Sequence, residues 1–415
     1  MVKKIKVEQL KPGMFVHDFN CGWLHHPFLR NRVKIQNEDE IERILKHRIR
    51  ELYIDTTHGI DCDDAPTQAE VEHQLDTTMT AVDVSHIKRR ARASLKEEIV
   101  KARVLLADSK HQTQILMDAV KLGKQIDMDQ VEKIVERMTE SVLNNSDALI
   151  SLARIKSKDE YTYLHSLAVA ALCISFGEEL ELGDQKVRSL GIGGLLHDIG
   201  KVRVPGEILN KPGPLTEREF DLMKEHVKYG DCILRQSTKI EEDAISVTVH
   251  HHERLDGTGY PEALKGDDIS IFGQIAAIVD IYDALTSERC YKNAMAPTDA
   301  MRRLFEWSDR YLNRGLVERF IAHMGIYPIG TTVRLQSGII GVVVDHGERG
   351  LLYPIVRALY DSRAGKVVNP FDIDLSAPPA GAESDQIICC EAPGKWTFQR
   401  DPALLRSPEL AAAAI

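Results

Sequence analysis

The chain has 415 residues, 43% hydrophobic and 28% charged, a balance that suits a soluble globular protein of two or three domains and excludes large-scale disorder. A formal net charge of −10 argues against a general polyanion binder, so an anionic substrate has to be met by a local basic pocket. No segment reaches the roughly 18 apolar residues of a membrane span, and the seven cysteines are scattered without a CxxC pair or disulfide framework, so the expected setting is a reducing cytoplasm.

From Ile5 to about Ile54 the pattern reads as short strands and turns. Lys11-Pro12-Gly13 turns into a strand at Met14-Phe15-Val16, and Ile41 to His47 has the spacing of a short amphipathic helix. Asp55 to about Ser85 is acidic and polar, which predicts a surface linker and a domain boundary. Helical periodicity follows. A basic helix is expected over Lys88 to Val104, its Lys88, Arg89, Arg90 and Arg92 read as a solvated face, and Val131, Ile134, Val135, Met138 and Val142 share one face of the next helix. Residues 160 to 325 read as helical, with loops rich in Pro and Gly, and Gly191-Ile192-Gly193-Gly194 lacks P-loop spacing, so it reads as close helix packing. After Gly330, Thr332 to Leu335 and Ile339 to Val344 alternate as a hairpin across Gln336-Ser337-Gly338, predicting a small β appendage to about Leu375 with a frayed tail at Ala411 to Ile415.

The fold class expected is therefore multidomain. A small α+β N-terminal module with its acidic linker occupies 1–85, a helical connector 86–154, an all-α catalytic domain 155–328, and a short β-rich extension with tail 329–415.

The chemistry lies in the third of these. His197-Asp198 is followed by Ile199-Gly200-Lys201, which adds close backbone approach and a phosphate-seeking cation. His226 comes next, then His250-His251-His252-Glu253-Arg254-Leu255-Asp256-Gly257-Thr258-Gly259-Tyr260-Pro261, then Asp280-Ile281-Tyr282-Asp283. The His197-Asp198 pair alone, or His226 alone, reads more readily as structural, whereas three consecutive histidines before the Asp256-Gly257-Thr258-Gly259 turn already point to a site. Together they offer imidazoles and carboxylates for two hard-to-borderline divalent metals. Asp280 follows an apolar run, where a metal would compensate the cost of a buried carboxylate.

These motifs, in this order, resemble the HD-GYP family, a subset of the HD metal-dependent phosphohydrolases specialised for cyclic di-GMP; the likeness covers about 155 to 325. The segment around Leu10 to Val16 resembles the uncharacterised domain that often precedes HD-GYP domains in bacteria. The resemblance implies that His165, His197, Asp198 and Asp280 hold one metal, and that Asp198 bridges to a second held by His226, His251 and His252. His250 is an extra residue, read as packing or surface. Asp198 and Lys201 are implied as catalytic, Lys201 facing the scissile phosphate. Gly259, Tyr260, Pro261, Asp283, Arg289 and Lys292 join Lys201 on the substrate side. Some family members carry a glutamate four residues before the first histidine ligand. Here Tyr161 stands there and Glu160 lies one residue off, so two metals are expected rather than three.

The activity implied is hydrolysis of cyclic di-GMP to linear pGpG, with onward cleavage to GMP slow, by a hydroxide bridging two metals about 3.5 to 4 Å apart. Iron or manganese is the expected metal, with nickel or zinc also compatible with a donor set lacking thiolate. The partner implied is a cyclic dinucleotide, with no nucleic-acid polymer and no membrane insertion; a homodimer or protein partner would engage through the N-terminal module. Two rival readings stand: a phosphodiesterase for another cyclic dinucleotide such as cyclic GMP-AMP, and an inactive module that binds the nucleotide or docks a partner.

Overall fold

A computed structural model describes the chain except residues 22–31, 83–90, 154–160, 214, 238, 289–293, 309, 348–351, 379–384, 392–394 and 397–415, and the side chain of Tyr161. The chain divides into two compact units. One comprises Met1–Ala81 together with Val204–Glu225, the other Val82–Arg203 with His226–Ile415.

The first unit holds a four-stranded antiparallel sheet. Strands β1 (Val2–Lys6), β2 (Phe15–Asp18), β3 (Val33–Lys34) and β4 (Glu51–Asp55) lie in the order β1-β4-β2-β3. Alternation puts Ile5, Val16, Leu52 and Ile54 into one core with Ile41 and Ile44 of helix α1 (Glu38–Lys46), whose first turn is capped by Asn37 accepting from Glu40 N at 3.1 Å. Where a polar linker is expected, the structure has helix α2 (Gln68–Thr80). The Thr67-x-x-Glu70 capping box starts it, and a largely solvated surface hides it from a search for apolar periodicity. The unit also takes in helix α7 (Gly206–Leu209) and the first half of α8 (Glu217–Leu234), so it is not confined to the N-terminal residues.

In the second unit the basic helix starts later and runs longer than the sequence pattern predicts. Helix α3 spans Leu95–Lys121 because Ser94 and Glu97 form a capping box; Lys88, Arg89 and Arg90 lie outside the described residues. Helix α4 (Met128–Ala153) packs on it and is broken at Asn145. Helices α5 (Tyr161–Glu179), α6 (Asp184–Leu196), α9 (Glu242–His250), α10 (Ile271–Thr286), α11 (Pro297–Trp307) and α12 (Arg314–Met324) complete the helical part. The Gly191–Gly194 stretch is a packing device. A Cβ on Gly193 would stand 2.5 Å from Val247 Cβ, so glycine lets α6 and α9 close up.

Five antiparallel strands follow: β5 (Thr332–Leu335), β6 (Ile339–Asp345), β7 (Ile355–Asp361), β8 (Lys366–Asp374) and β9 (Ile387–Cys390), ordered β8-β7-β6-β5-β9. The expected hairpin is β5–β6. Val333, Leu335, Ile340, Val343 and Val356 share one continuous hydrophobic core with α3 to α6, so the strands are built into the helical body and extend past Leu375 to Cys390. The tail Ala411 to Ile415 lies outside the described residues. Among the described residues, no helix is long and apolar enough to cross a membrane.

Candidate metal centre

Helices α5, α6, α9 and α10, the turn after α6 and the His226 half of α8 bring one buried cluster together. Helices α5 and α10 are apolar on nearly every face, so their few polar side chains are carried inside: His165 on α5, and Asp280 and Asp283 one turn apart on α10. His197 and His251 occupy the C-terminal caps of α6 and α9. Asp198 precedes a 3₁₀ turn at Ile199–Arg203, and His226 lies within α8. A Cβ on Gly200 would fall 1.9 Å from His226 O, so glycine at this position is what lets the His197-Asp198 turn lie against α8.

The ligand atoms form overlapping triads. His165, His197 and Asp280 make one, His226, His251 and His252 another, and His197, Asp198 and His251 link them, with the ligand atoms of each triad within 4.8 Å of one another. Asp198 reaches both sides. Its Oδ2 is 3.2 Å from His197 Nε2 and 3.5 Å from His165 Nε2, while its Oδ1 is 3.4 Å from His226 Nε2 and 4.0 Å from His251 Nε2. Asp280 Oδ1 stands 3.2 Å from His165 Nε2.

The imidazoles are oriented from behind. His197 Nδ1 donates to Gly194 O at 2.8 Å, His251 Nδ1 to Thr248 O at 2.7 Å, and His165 Nδ1 to Asp283 Oδ2 at 2.6 Å. Each Nδ1–H donation turns Nε2 toward the cluster, the atom a metal would take. Burial, reinforced by neighbouring imidazoles, lowers His251 to about 3 and holds His252 well below its ordinary value, so both stay neutral. Burial also lowers His165, but its hydrogen bonds to Asp198, Asp280 and Asp283 outweigh that and raise it to about 9. Burial pushes Asp198 and Asp280 up; Lys201 and His197 for the first, and His165 for the second, hold both carboxyls well below the usual range.

Two observations test whether such a cluster suits metal. Asp198 Oδ1 and His251 Nε2 are buried without a hydrogen bond, an expensive condition that a divalent cation would relieve. The donors are imidazole nitrogen and carboxylate oxygen with no thiolate, a set that fits borderline divalent ions.

The remaining expected residues fall into three groups. Lys201 Nζ is 2.5 Å from Asp198 Oδ2 and its side chain is 26% exposed, at the edge of the cluster. Gly259, Tyr260 and Pro261 form the loop over the second triad, joined by a cis Tyr260–Pro261 bond, with the Tyr260 ring stacked on His252 at 4.6 Å and 28°. Burial raises the Tyr260 phenol well above its ordinary value. Asp283, expected among the substrate contacts, instead lies behind His165 with 1% exposure; its position three residues after Asp280 on one helix face is the signal that pointed there. Arg289, Lys292 and Glu160, and the Tyr161 side chain, lie outside the described residues.

His250 turns away from the triads: its Nδ1 is 3.2 Å from Ser270 Oγ, and its Cβ sits 2.3 Å from where Gly273 would carry one, so it packs α9 against the start of α10. Two supporting residues escaped the sequence reading. Arg254 donates to His251 O at 3.2 Å and Glu253 O at 2.7 Å, and burial lowers its pKa. Glu253 accepts two backbone N–H groups of the Tyr260 loop.

Residues 131–314 match the HD domain family, and residues 2–131 match a domain of unknown function, DUF3391. The chain is 38% identical to the cyclic di-GMP phosphodiesterase PA4108 of Pseudomonas aeruginosa across 96% of its own length and 94% of that protein. It is 38% identical to a cyclic di-GMP phosphodiesterase of Thermotoga maritima over 40% of this chain and 45% of that one. To the 3′3′-cGAMP-specific phosphodiesterase 2 of Vibrio cholerae it is 35% identical, over 41% of this chain and 33% of that one. The near full-length likeness to the Pseudomonas protein, with the order of the His and Asp motifs, places the chain in the HD-GYP family of HD-domain phosphohydrolases, with a DUF3391 domain at its N-terminal side.

Proposed function

We propose that this protein is a metal-dependent phosphodiesterase that opens cyclic di-GMP to linear pGpG in bacterial second-messenger signalling. The observation that carries the reading is the placement of Asp198 between two imidazole-rich triads, with Lys201 beside it. The residues suit two divalent ions, His165, His197 and Asp280 holding one, His226, His251 and His252 the other, and Asp198 both, with iron or manganese preferred. When bound, such ions polarise a phosphodiester and bring the pKa of water near neutrality.

The chain's own groups do the rest. Asp283 holds the His165 ring at the angle its Nε2 requires, and burial keeps His251 and His252 unprotonated. The Lys201 ammonium, beside Asp198 at the edge of the cluster, would stabilise the negative charge that grows on the phosphoryl oxygens. Tyr260 closes one side of the second triad and keeps bulk water from it. Arg289 and Lys292 are proposed to grip the substrate's second phosphate, which an acidic chain has to hold locally.

Purified protein loaded with manganese or iron is assayed on cyclic di-GMP and, in parallel, on cyclic GMP-AMP, with products separated by chromatography. The expected result is pGpG as main product and about two ions per chain by elemental analysis. Turnover of cyclic GMP-AMP alone moves the substrate; turnover of neither, with metal bound, makes this a binding module.

A further inference from the structure

The loop that carries Tyr260 is closed on itself. Asp256 and Lys265 form an antiparallel bridge, and Gly266 N donates to Leu255 O at 3.1 Å. Asp256 braces the loop with both oxygens. Oδ1 accepts from Thr258 N at 3.0 Å, and Oδ2 accepts from Arg310 Nε at 2.7 Å.

Inside this loop is a carboxylate that the chemistry above does not use. Glu253 is 2% exposed, and its Oε1 accepts from Glu262 N at 2.8 Å while its Oε2 accepts from Leu264 N at 3.0 Å. Among the described residues it forms no ion pair; backbone amides offset part of the cost of burying its charge, and burial still pushes its carboxyl up. Glu253 follows directly on the ligand His252. The two amides it captures lie two and four residues after Tyr260, whose own N–H reaches back to His252 O at 3.3 Å. One side chain therefore ties the far limb of the loop to the near one, at the place where the Tyr260 ring lies on the His252 imidazole.

We propose that Glu253 is a positioning residue: by clamping the amides of Glu262 and Leu264 it seats Tyr260 over His252 and fixes the aromatic wall of the substrate site. The inference deepens the phosphodiesterase reading and rests on it for its kinetic consequence. Glu253 acts through Tyr260 and touches no reacting atom.

Glu253→Gln tests this at constant volume. The amide oxygen still accepts one N–H, but the amide nitrogen is a donor facing the second donor, so one limb is released. Three outcomes are expected together. Hydrogen exchange at the amides of Glu262 and Leu264 rises by at least about tenfold, the scale of one lost charge-assisted hydrogen bond, while the bulk of the helical amides keep their protection. In the manganese-loaded enzyme kcat/KM for cyclic di-GMP falls by about tenfold with metal content unchanged. In a Tyr260→Ala background the same substitution changes kcat/KM by less than about twofold, because the residue through which it acts is gone.

Unchanged exchange at both amides overturns the clamp. An undiminished loss in the Tyr260→Ala background overturns the route through Tyr260. Where Tyr260→Ala is itself inactive, exchange in E253Q decides the clamp, and the position of Tyr260 over His252 in a crystal structure of E253Q decides the route. If the wild-type protein hydrolyses no cyclic dinucleotide, the phosphodiesterase reading fails by itself, and the exchange measurement still decides the clamp.

Discussion

Asp283 Oδ2 lies 2.6 Å from His165 Nδ1, on the side of the imidazole away from the cluster. A buried carboxylate that accepts from the rear nitrogen of a ligand histidine fixes its tautomer and makes the front nitrogen more basic. Asp283→Asn keeps the shape and removes the charge. Metal affinity or turnover should fall about 10- to 100-fold with the fold intact, read by metal titration and initial rates. Wild-type values for both would leave Asp283 a bystander.

Asp198 stands between the two triads, with oxygens 3.2 Å from His197 and 3.4 Å from His226. Asp198→Ala should reduce turnover to background and lower the metal content, while far-UV circular dichroism stays that of a helical protein. Turnover near the wild-type rate would end the two-metal reading.

Neighbouring histidines should separate cleanly. His250 packs against Gly273 and Ser270, whereas His251 faces Asp198. His250→Ala should keep kcat/KM within about twofold and lower the melting temperature by a few degrees, about the effect of 1 kcal/mol in a protein of moderate size. His251→Ala should abolish turnover. Equal kinetic losses in the two variants would place His250 in the site.

Protein stripped with a chelator should have a stability maximum near neutral pH. His165 rises from its ordinary 6.5 to about 9, so its contribution is complete below 6.5 and is lost as pH climbs through 9. His251 falls from 6.5 to about 3; the unfolded chain takes up that proton first, and stability is lost as pH drops from 6.5 toward 3. Melting temperatures taken from pH 4 to 10, in about unit steps, should fall away on both sides of a maximum near pH 6.5. A monotonic profile would show that these two imidazoles are not carried as described.

Removing residues 1–81 should impair the chain that remains. Val204–Glu225, which clusters with those residues, runs in sequence from just past Lys201 to just before His226. A chain starting at Val82 should therefore be less stable and turn over more slowly than the full chain. Undiminished activity would show that 204–225 holds its course alone.

What could be read in advance was chemistry carried by sequence order. The His197-Asp198, His251-His252 and Asp280 motifs are dense enough in unusual residues to be recognised without knowing which helices bear them, and the β5–β6 hairpin follows from alternation around Ser337-Gly338. Helix α2 was illegible because it buries little more than Met79 and shows no apolar face. The course of 204–225 depends on a clustering of distant residues that local pattern does not encode. Asp283 and Glu253 were misread or missed for a related reason: their partners are an imidazole 118 residues away and two loop amides, and only the folded chain brings them together.

The 118-residue span between His165 and Asp283 also bears on how the centre comes into being. During synthesis a chain that has reached His226 already owns four of the seven metal-type residues, yet lacks the α9 end and all of α10 that would hold them together. Closing so long a loop costs entropy that grows only slowly with length, about (3/2)RT ln n, but contacts of this kind form late because nothing local rewards them earlier. Assembly of the triads is thus a report on completed folding: a nascent or truncated chain ending before Ile271, where α10 begins, offers its histidines one by one, as any unfolded peptide would, and captures metal weakly.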